Sequence, residues 1–333
     1  MGRGILTGLA IVSLLALVGG LAINAFASQT QAYLDVDYEG GVIYDLRYGE
    51  AERNLYDLYL PEDTSSAKAE HLVLFIHGGS WSRGDKEDGE AWCRYYAAQG
   101  YVAASICYTL LDDEHQPTIL SINEEVVASV RAIKARCAQE DIGISLRDMA
   151  VQGFSAGACQ AMMFGFREKE RSENDPDLLP VRFIVQQSGP STFDPAVWGE
   201  KGAVLAIVRR ATGLDGTAEG EAAFISLFSG QPVTEEMVSD GSAQVLWKEA
   251  SPYYYIKADS VPILYAYGAN DNIVPPESRI VLEDALKAAG KIEGVDYVGI
   301  LMEHSGHGLS LDPDLQQVFL SAVRAFCDRY FTE

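Results

Sequence analysis

The stretch from Met149 to Gly157 constrains the fold of this chain more than any other. It reads Met-Ala-Val-Gln-Gly-Phe-Ser-Ala-Gly, so an apolar run leads directly into Gly153-Phe154-Ser155-Ala156-Gly157. Glycines on both sides of the serine are typical of a strand-to-helix turn too sharp for neighbouring side chains. The pattern therefore predicts that Ser155 projects from the end of a sheet. Taken alone it is weak, because short Gly/Ser/Ala patterns occur by chance in ordinary turns.

The apolar segments around this turn predict the sheet to which it belongs. Strands without alternation are predicted at 72–76, 101–106, 149–152, 182–187, 261–267 and 296–301. Helical patterns separate or follow them at 87–99, 122–138, 158–164, 276–289 and 314–330. Strands of this kind, connected by helices, predict an α/β fold with a mostly parallel central sheet covered on both faces. Two earlier segments, 41–48 and 55–60, alternate like half-buried antiparallel strands.

The N-terminus differs from the rest of the chain. Residues 5–23 are almost entirely apolar and end before Ala25-Phe26-Ala27, the pattern of an export signal. The run is also long enough for an uncleaved anchor, since about 19 residues of helix span about 28 Å. We therefore predict a signal peptide or N-terminal anchor at 1–27, a mobile segment at 28–40, and one domain at 41–333. Residues 193–250 are too long for a strand-to-helix connection, and they predict an inserted cap.

Charge and cysteine content exclude several classes of function. The formal net charge of −23 makes nucleic acid and anionic surfaces poor partners. The five cysteines are too few and too widely spaced for a disulfide framework, although one disulfide is compatible with export. Cys107 and Cys159 lie in apolar segments and are predicted core residues. No His/Cys cluster suggests a metal, and we predict neither a metal nor a cofactor.

A serine nucleophile needs a base, and the base needs a carboxylate behind it. Gly268-Ala269-Asn270-Asp271 follows one predicted strand and Glu303-His304-Ser305-Gly306-His307 follows the next. Sites in open parallel sheets lie at these carboxyl ends of strands. We therefore predict Ser155 as nucleophile, His307 as base and Asp271 as the residue that orients it. We favour His307 over His304 because flanking glycines leave its backbone free to turn.

A third strand end carries His77-Gly78-Gly79-Ser80-Trp81. Paired glycines let the backbone approach a substrate and point amide hydrogens at a developing oxyanion. Gly78 and Gly79, together with Ala156 at the start of the helix after Ser155, are the predicted donors. His77 is interpreted as structural, with a hydrogen bond to its own loop.

These motifs, in this order, resemble the α/β-hydrolase superfamily, and within it the lipase/esterase group that includes hormone-sensitive-lipase-like and feruloyl or acetyl esterases. The resemblance runs from about residue 55 to the last helix and includes Gly84-Asp85-Lys86, Ser251-Pro252 and Val274-Pro275. The chain departs from the family pattern at Ser80, where many relatives have a third glycine, and in its long cap. The resemblance implies a serine carboxylesterase that hydrolyses small acyl or carbohydrate-linked esters through an acyl-enzyme.

Two alternatives and one further residue complete the sequence-based hypothesis. A peptidase of the prolyl-oligopeptidase type shares this catalytic domain, and a non-catalytic binding protein of the same fold is a different class altogether. Trp81 is predicted to contact substrate, although aromatic residues more often serve core or cap packing. Location outside the cytoplasm follows from the N-terminal signal or anchor.

Overall fold

The computed structural model describes Leu34 and residues 36–112, 114–198 and 217–332. The predicted signal or anchor at 1–27 lies outside the described residues. Within the described ranges, no helix combines the length and apolar character needed to cross a bilayer.

One sheet of eight strands organises the fold, in the order β1-β2-β4-β3-β5-β6-β7-β8. β1 pairs with β2, and β2 with β4, in antiparallel fashion, whereas all other neighbours are parallel. This confirms the predicted α/β fold. The strands are β1 (Val42–Arg47), β2 (Leu55–Tyr59), β3 (His71–Ile76), β4 (Val102–Ile106), β5 (Asp148–Phe154), β6 (Val181–Gln187), β7 (Ile263–Gly268) and β8 (Tyr297–Met302).

Helices cover both faces of this sheet, because the central strands are apolar on both sides. The helices Glu90–Ala98 and Pro313–Tyr330 pack on one face, where Trp92 of the first and Phe326 of the second belong to one core cluster. The helices Ile119–Cys137, Ala156–Arg167 and Glu277–Ala288 pack on the other face. The helices are α1 (Glu90–Ala98), α2 (Ile119–Cys137), α3 (Ala156–Arg167), α4 (Lys169–Asn174), α5 (Pro195–Trp198), α6 (Ala218–Ser229), α7 (Glu235–Ser239), α8 (Gln244–Glu249), α9 (Glu277–Ala288) and α10 (Pro313–Tyr330).

The long connection between β6 and β7 contains helices α5 to α8. Residues 199–216 of the predicted cap at 193–250 lie outside the described residues. Within the described part, Phe228 of α6 stacks on Phe193, with ring centroids 4.3 Å apart. These rings also reach Trp81, so the insertion lies directly beside the loop that follows β3.

The structure differs from the sequence-based predictions at two places. Tyr56 to Tyr59 of β2 are all buried, whereas alternation predicted a half-buried strand. Asp57 is tolerated there because the Asp45 amide and the Lys86 ammonium bind its carboxylate. Two residues of the predicted mobile segment lie against the domain: Leu34 is buried, and the Tyr38 hydroxyl donates to Leu60 O. All five cysteines are buried and free, including Cys107 and Cys159, which were predicted as core residues.

Candidate active site

Ser155 lies in the turn between β5 and α3, as the Gly-x-Ser-x-Gly pattern predicted. Its backbone has φ 53° and ψ −120°, a conformation that non-glycine residues rarely adopt. Residues in such strained conformations are found more often at active sites than elsewhere. The Ser155 amide donates to Gln187 O at 2.8 Å, which ties the turn to the end of β6. A Cβ on Gly157 would overlap the carbonyl oxygens of Ile76 and His77. Glycine is therefore required there, because α3 begins in contact with the end of β3.

His307 and Asp271 come from the two strand ends beyond β6, and the structure brings both to Ser155. His307 Nε2 lies 2.8 Å from Ser155 Oγ, and His307 Nδ1 lies 2.8 Å from Asp271 Oδ2. All three residues are buried. The other carboxylate oxygen, Asp271 Oδ1, accepts hydrogen bonds from the amides of Ile273 and Val274. Asp271 is thus held on both oxygens.

These contacts determine which nitrogen of His307 carries the proton. An ionised carboxylate only accepts hydrogen bonds, so His307 Nδ1 must be the donor to Asp271. In the neutral ring the other nitrogen, Nε2, is then an acceptor and can receive the proton of the Ser155 hydroxyl. The arrangement has the geometry of a nucleophile, a base and an orienting acid.

The loop after β3 brings Gly78 beside this serine. A Cβ on Gly78 would lie 2.9 Å from Phe154 O and 3.2 Å from Ser155 Cβ, so only glycine allows this approach. Gly79 has φ 113°, which glycine adopts without strain. Ser80, the next residue, adopts the left-handed conformation although it has a side chain, with φ 52°. Ala156 begins α3, so its amide is among those without an intrahelical acceptor.

His77, the first residue of this loop, has the structural environment that the sequence suggested. It is fully buried, and its Nδ1 lies 2.7 Å from Gly78 O. Its ring stacks on Tyr108 with centroids 4.2 Å apart. Burial lowers the pKa of His77 to about 4, so the ring is neutral at ordinary pH.

Two polar residues that sequence reasoning missed hold the loop that carries His307. Ser188 Oγ donates to His307 O at 2.8 Å. Asp312 accepts hydrogen bonds from the His304 amide and the Ser305 hydroxyl. The only signal for Ser188 was its place at the end of β6, while Asp312 before Pro313 reads as an ordinary helix N-cap.

His304 lies away from the hydrogen bonds of the triad. Its side chain is 78% exposed, and its Nδ1 lies 2.7 Å from Asp312 Oδ1. The hydrogen bond to Asp312 raises the pKa of His304. His304 is therefore a surface residue.

Trp81 lies at the junction of the Gly78-Gly79 loop and the cap. Its ring centroid is 5.4 Å from that of Phe228 and 5.8 Å from that of Phe193. With Leu111 and Ile119 it lines a narrow cavity beside Ser80. Only 8% of the residue is exposed, so packing accounts for most of its surface, and its contact with substrate stays a prediction.

Across the described ranges, no group of three or more His, Cys, Asp or Glu side chains has the arrangement of a metal site.

A serine in a strained turn, linked to a histidine and an aspartate at the carboxyl ends of a mostly parallel sheet, defines an α/β-hydrolase. The chain order Ser155, Asp271, His307 is also the order found in that class. The family model described as BD-FAE matches residues 56–286, which is more than half of the chain. The chain belongs to the BD-FAE family.

Two curated relatives are esterases of Mycobacterium tuberculosis. Esterase LipC is 26% identical over 267 residues, which cover 79% of this chain and 59% of LipC. Esterase LipQ is 25% identical over 248 residues, covering 74% of this chain and 53% of LipQ. The chain thus spans little more than half the length of these relatives.

Solved structures of esterases share the fold at low sequence identity. Esterase B from Lactobacillus rhamnosis has a TM-score of 0.64 at 19% identity, covering 95% of each chain. A truncated carbohydrate esterase from gut microbiota has a TM-score of 0.62 at 18% identity, covering 89% of this chain and 98% of its own. Esterase 2 from Thermogutta terrifontis with propionate bound has a TM-score of 0.60 at 20% identity, covering 86% of this chain and 93% of its own.

Proposed function

We propose that this protein is a serine carboxylesterase that hydrolyses small acyl esters or esters linked to carbohydrate through an acyl-enzyme. The observation that carries the proposal is the continuous chain of hydrogen bonds from Ser155 Oγ through His307 to Asp271. Membership in the BD-FAE family supports ester hydrolysis. A carbohydrate esterase and a propionate-bound esterase among the structural neighbours support the two substrate classes.

The first half of the reaction acylates Ser155. His307 Nε2 takes the hydroxyl proton while Ser155 Oγ forms a bond to the ester carbonyl carbon. The carbonyl oxygen becomes an oxyanion, which the amides of Gly78, Gly79 and Ala156 bind. Asp271 stabilises the imidazolium that forms. When the oxyanion collapses, the bond from carbon to the alcohol oxygen breaks and His307 gives its proton to that oxygen.

The second half repeats these steps with water as the nucleophile. His307 takes a proton from water as the water oxygen attacks the acyl carbon. The bond from that carbon to Ser155 Oγ then breaks, and the proton returns to the serine. The products are one carboxylic acid and one alcohol.

Location outside the cytoplasm is part of the proposal. The apolar run at 5–23 and the Ala25-Phe26-Ala27 site support export, either as a secreted protein or as one held by an N-terminal anchor. Fractionation of cells that express the full chain, with N-terminal sequencing of the recovered protein, tests this directly. Cleavage after Ala27 is the result expected for a signal peptide, whereas protein found only in the cytoplasm contradicts export.

Two measurements test the catalytic proposal. A fluorophosphonate should modify Ser155 stoichiometrically, and Ser155→Ala should prevent it. On p-nitrophenyl acetate, Ser155→Ala should reduce kcat by a factor of up to about a million without unfolding the protein. A variant that retained more than a tenth of wild-type activity would show that the nucleophile is elsewhere. A panel of acetylated and feruloylated oligosaccharides, with a proline-containing peptide as the peptidase control, identifies the substrate class.

A further inference from the structure

A buried tyrosine lies on the carbonyl side of the two peptide groups that supply the Gly78 and Gly79 amides. Tyr108 Oη donates to His77 O at 3.0 Å and lies 3.4 Å from Gly78 O. The second carbonyl also receives a hydrogen bond from the His77 ring, with Nδ1 2.7 Å from Gly78 O. Both carbonyl oxygens are therefore held from the same side of the loop.

The direction of these carbonyls sets the direction of the amides. A trans peptide places the C=O of one residue and the N–H of the next on opposite sides. No peptide bond among the described residues is cis. The carbonyl of His77 thus orients the N–H of Gly78, and the carbonyl of Gly78 orients the N–H of Gly79. Both amides point away from Tyr108.

Tyr108 is itself held rigidly. It follows β4, is fully buried, and stacks on the His77 ring at an interplanar angle of 13°. Its own carbonyl accepts from Arg53 Nε at 3.1 Å, and Arg53 Nη2 donates to Gly84 O at the far end of the loop. Burial raises the pKa of Tyr108 far above its ordinary value, so the hydroxyl remains a donor.

We propose that Tyr108 is a positioning residue for the oxyanion hole. Its hydroxyl holds the His77 and Gly78 carbonyls so that the Gly78 and Gly79 amides point at the oxyanion. The inference rests on the proposed function, in which these amides bind that charge. Hydrogen bonds to the carbonyls also polarise the peptide groups and strengthen their N–H donors. Because the amides act on a charge that exists only in the transition state, Tyr108 contributes to turnover more than to substrate binding.

Tyr108→Phe tests this, because it keeps the ring on His77 and removes only the hydroxyl. The readout is the second-order rate constant for labelling of Ser155 by a fluorophosphonate, whose phosphoryl oxygen occupies the oxyanion position. We expect labelling about tenfold slower or more, since losing an oxyanion donor outright costs about 100- to 1,000-fold. Labelling at the wild-type rate would overturn the proposal.

Tyr95→Phe is the matched control. Tyr95 is also buried, but its hydroxyl accepts a hydrogen bond from Arg324, at the contact of α1 with α10. This variant should label within about twofold of the wild-type rate. Equal slowing in both variants would indicate general loosening of the fold and would also overturn the proposal.

Two inhibitors separate positioning from a purely structural role. A trifluoromethyl ketone forms an anionic adduct with Ser155, whereas an amide analogue of the substrate binds without chemistry. Tyr108→Phe should weaken binding of the ketone by the same factor as it slows labelling. Binding of the amide should stay within about twofold of wild type. The pH dependence of labelling should not change, because His307 remains the base. Equal weakening of both inhibitors would contradict the assignment.

A second variant keeps the test decisive if Tyr108→Phe does not fold. Arg53→Met removes the hydrogen bonds to Tyr108 O and Gly84 O from a partly exposed position. It should slow labelling at least threefold, and wild-type labelling would overturn the proposal. Ester hydrolysis is scored separately: a wild-type protein that is labelled but cleaves no ester refutes the proposed function and leaves the Tyr108 comparison intact. A wild-type protein that is not labelled refutes both.

Discussion

At the scale of single residues, hydrogen-bond partners distinguish two histidines that lie close together in the chain. His307 joins Ser155 Oγ to Asp271, while the exposed His304 ring binds Asp312. Ser188 holds the backbone of His307, and Asp312 holds the start of the same loop. The loop after β8 therefore carries a residue with the geometry of a base, and contacts from Ser188 and Asp312 hold that loop in place.

His307→Ala should reduce kcat/KM on p-nitrophenyl acetate by at least about a thousandfold, because no other described side chain can take the proton of Ser155. His304→Ala should leave it within about threefold, because its ring is exposed to solvent. Steady-state kinetics of the two variants at one pH provide the comparison. An inactive His304→Ala beside an active His307→Ala would reverse the assignment.

The buried His77 predicts how stability depends on pH. Its ordinary pKa is 6.5, and burial lowers the pKa to about 4 in the folded protein. Between these values the unfolded chain binds more protons than the folded one, so the free energy of unfolding falls as pH falls. This residue alone should lower it by about 2 kcal/mol from pH 7 to pH 5.

Urea unfolding at pH 7 and pH 5 measures this effect. His77→Gln removes the titrating group, so the difference in unfolding free energy between the two pH values should become smaller by about that amount. His115→Gln is the control, because it replaces a histidine whose side chain is exposed to solvent. If the difference in unfolding free energy between pH 7 and pH 5 were identical in wild type and His77→Gln, burial would not lower the pKa of His77.

At the scale of elements, the cap helix α6 contributes to the surroundings of Trp81. Phe228 contacts the Trp81 ring and lines the narrow cavity beside Ser80. Phe224, one turn earlier on α6, packs on Trp198 and Phe228. The two phenylalanines are both buried, but of the two only Phe228 has a ring contact with Trp81 in the loop after β3.

Phe228→Ala should enlarge this cavity and raise the ratio of kcat/KM for p-nitrophenyl butyrate over acetate by about tenfold, since one methylene in an apolar pocket is worth about 10- to 200-fold. Phe224→Ala should cost about the same stability, about 3 kcal/mol, without changing that ratio. Kinetics with the two esters and thermal unfolding of both variants test this. An unchanged ratio in Phe228→Ala would assign the contact to packing alone.

At the scale of the whole molecule, the two ends of the sheet have different roles. Ser155 follows β5 at its carboxyl end, whereas Asp148 begins the same strand about 20 Å away. Asp148 is buried and accepts hydrogen bonds from His71 and Arg182, while Arg147 binds the carbonyl of Thr332 near the C-terminus. Interactions at this end join β3, β5, β6 and the last residues described.

Asp148→Asn should lower the free energy of unfolding by about 3 kcal/mol, because it removes one partner of a buried charged cluster. The kcat/KM of the folded variant should stay within about twofold of wild type. Asp141→Asn, in an exposed pair with Arg136, should change neither quantity appreciably. Urea unfolding and ester kinetics are measured on the same preparations. A large loss of kcat/KM in folded Asp148→Asn would mean that the two ends of the sheet are coupled.

The sequence by itself determined the order and type of the elements and the chemistry of the strand ends. Apolar runs and helical periods are local patterns, and the apolar runs located the six strands β3 to β8 within a few residues. The glycines around Ser155 could also be interpreted from the sequence, because the crowding that excludes a side chain there arises within one turn and against the strand beside it. The serine, aspartate and histidine could be proposed from their local motifs and from their positions after predicted strands.

Only the tertiary structure decided which side chains meet. Ser155 and His307 are separated by 152 residues, and nothing local to either predicts their 2.8 Å contact. Tyr108, Ser188 and Asp312 read as an ordinary strand end, turn and helix cap, because their partners lie on other elements. The buried Asp57 likewise resembled an exposed strand position until Lys86 was brought against it. Hydrogen-bond partners are assigned by packing of distant segments, so a local pattern does not contain them.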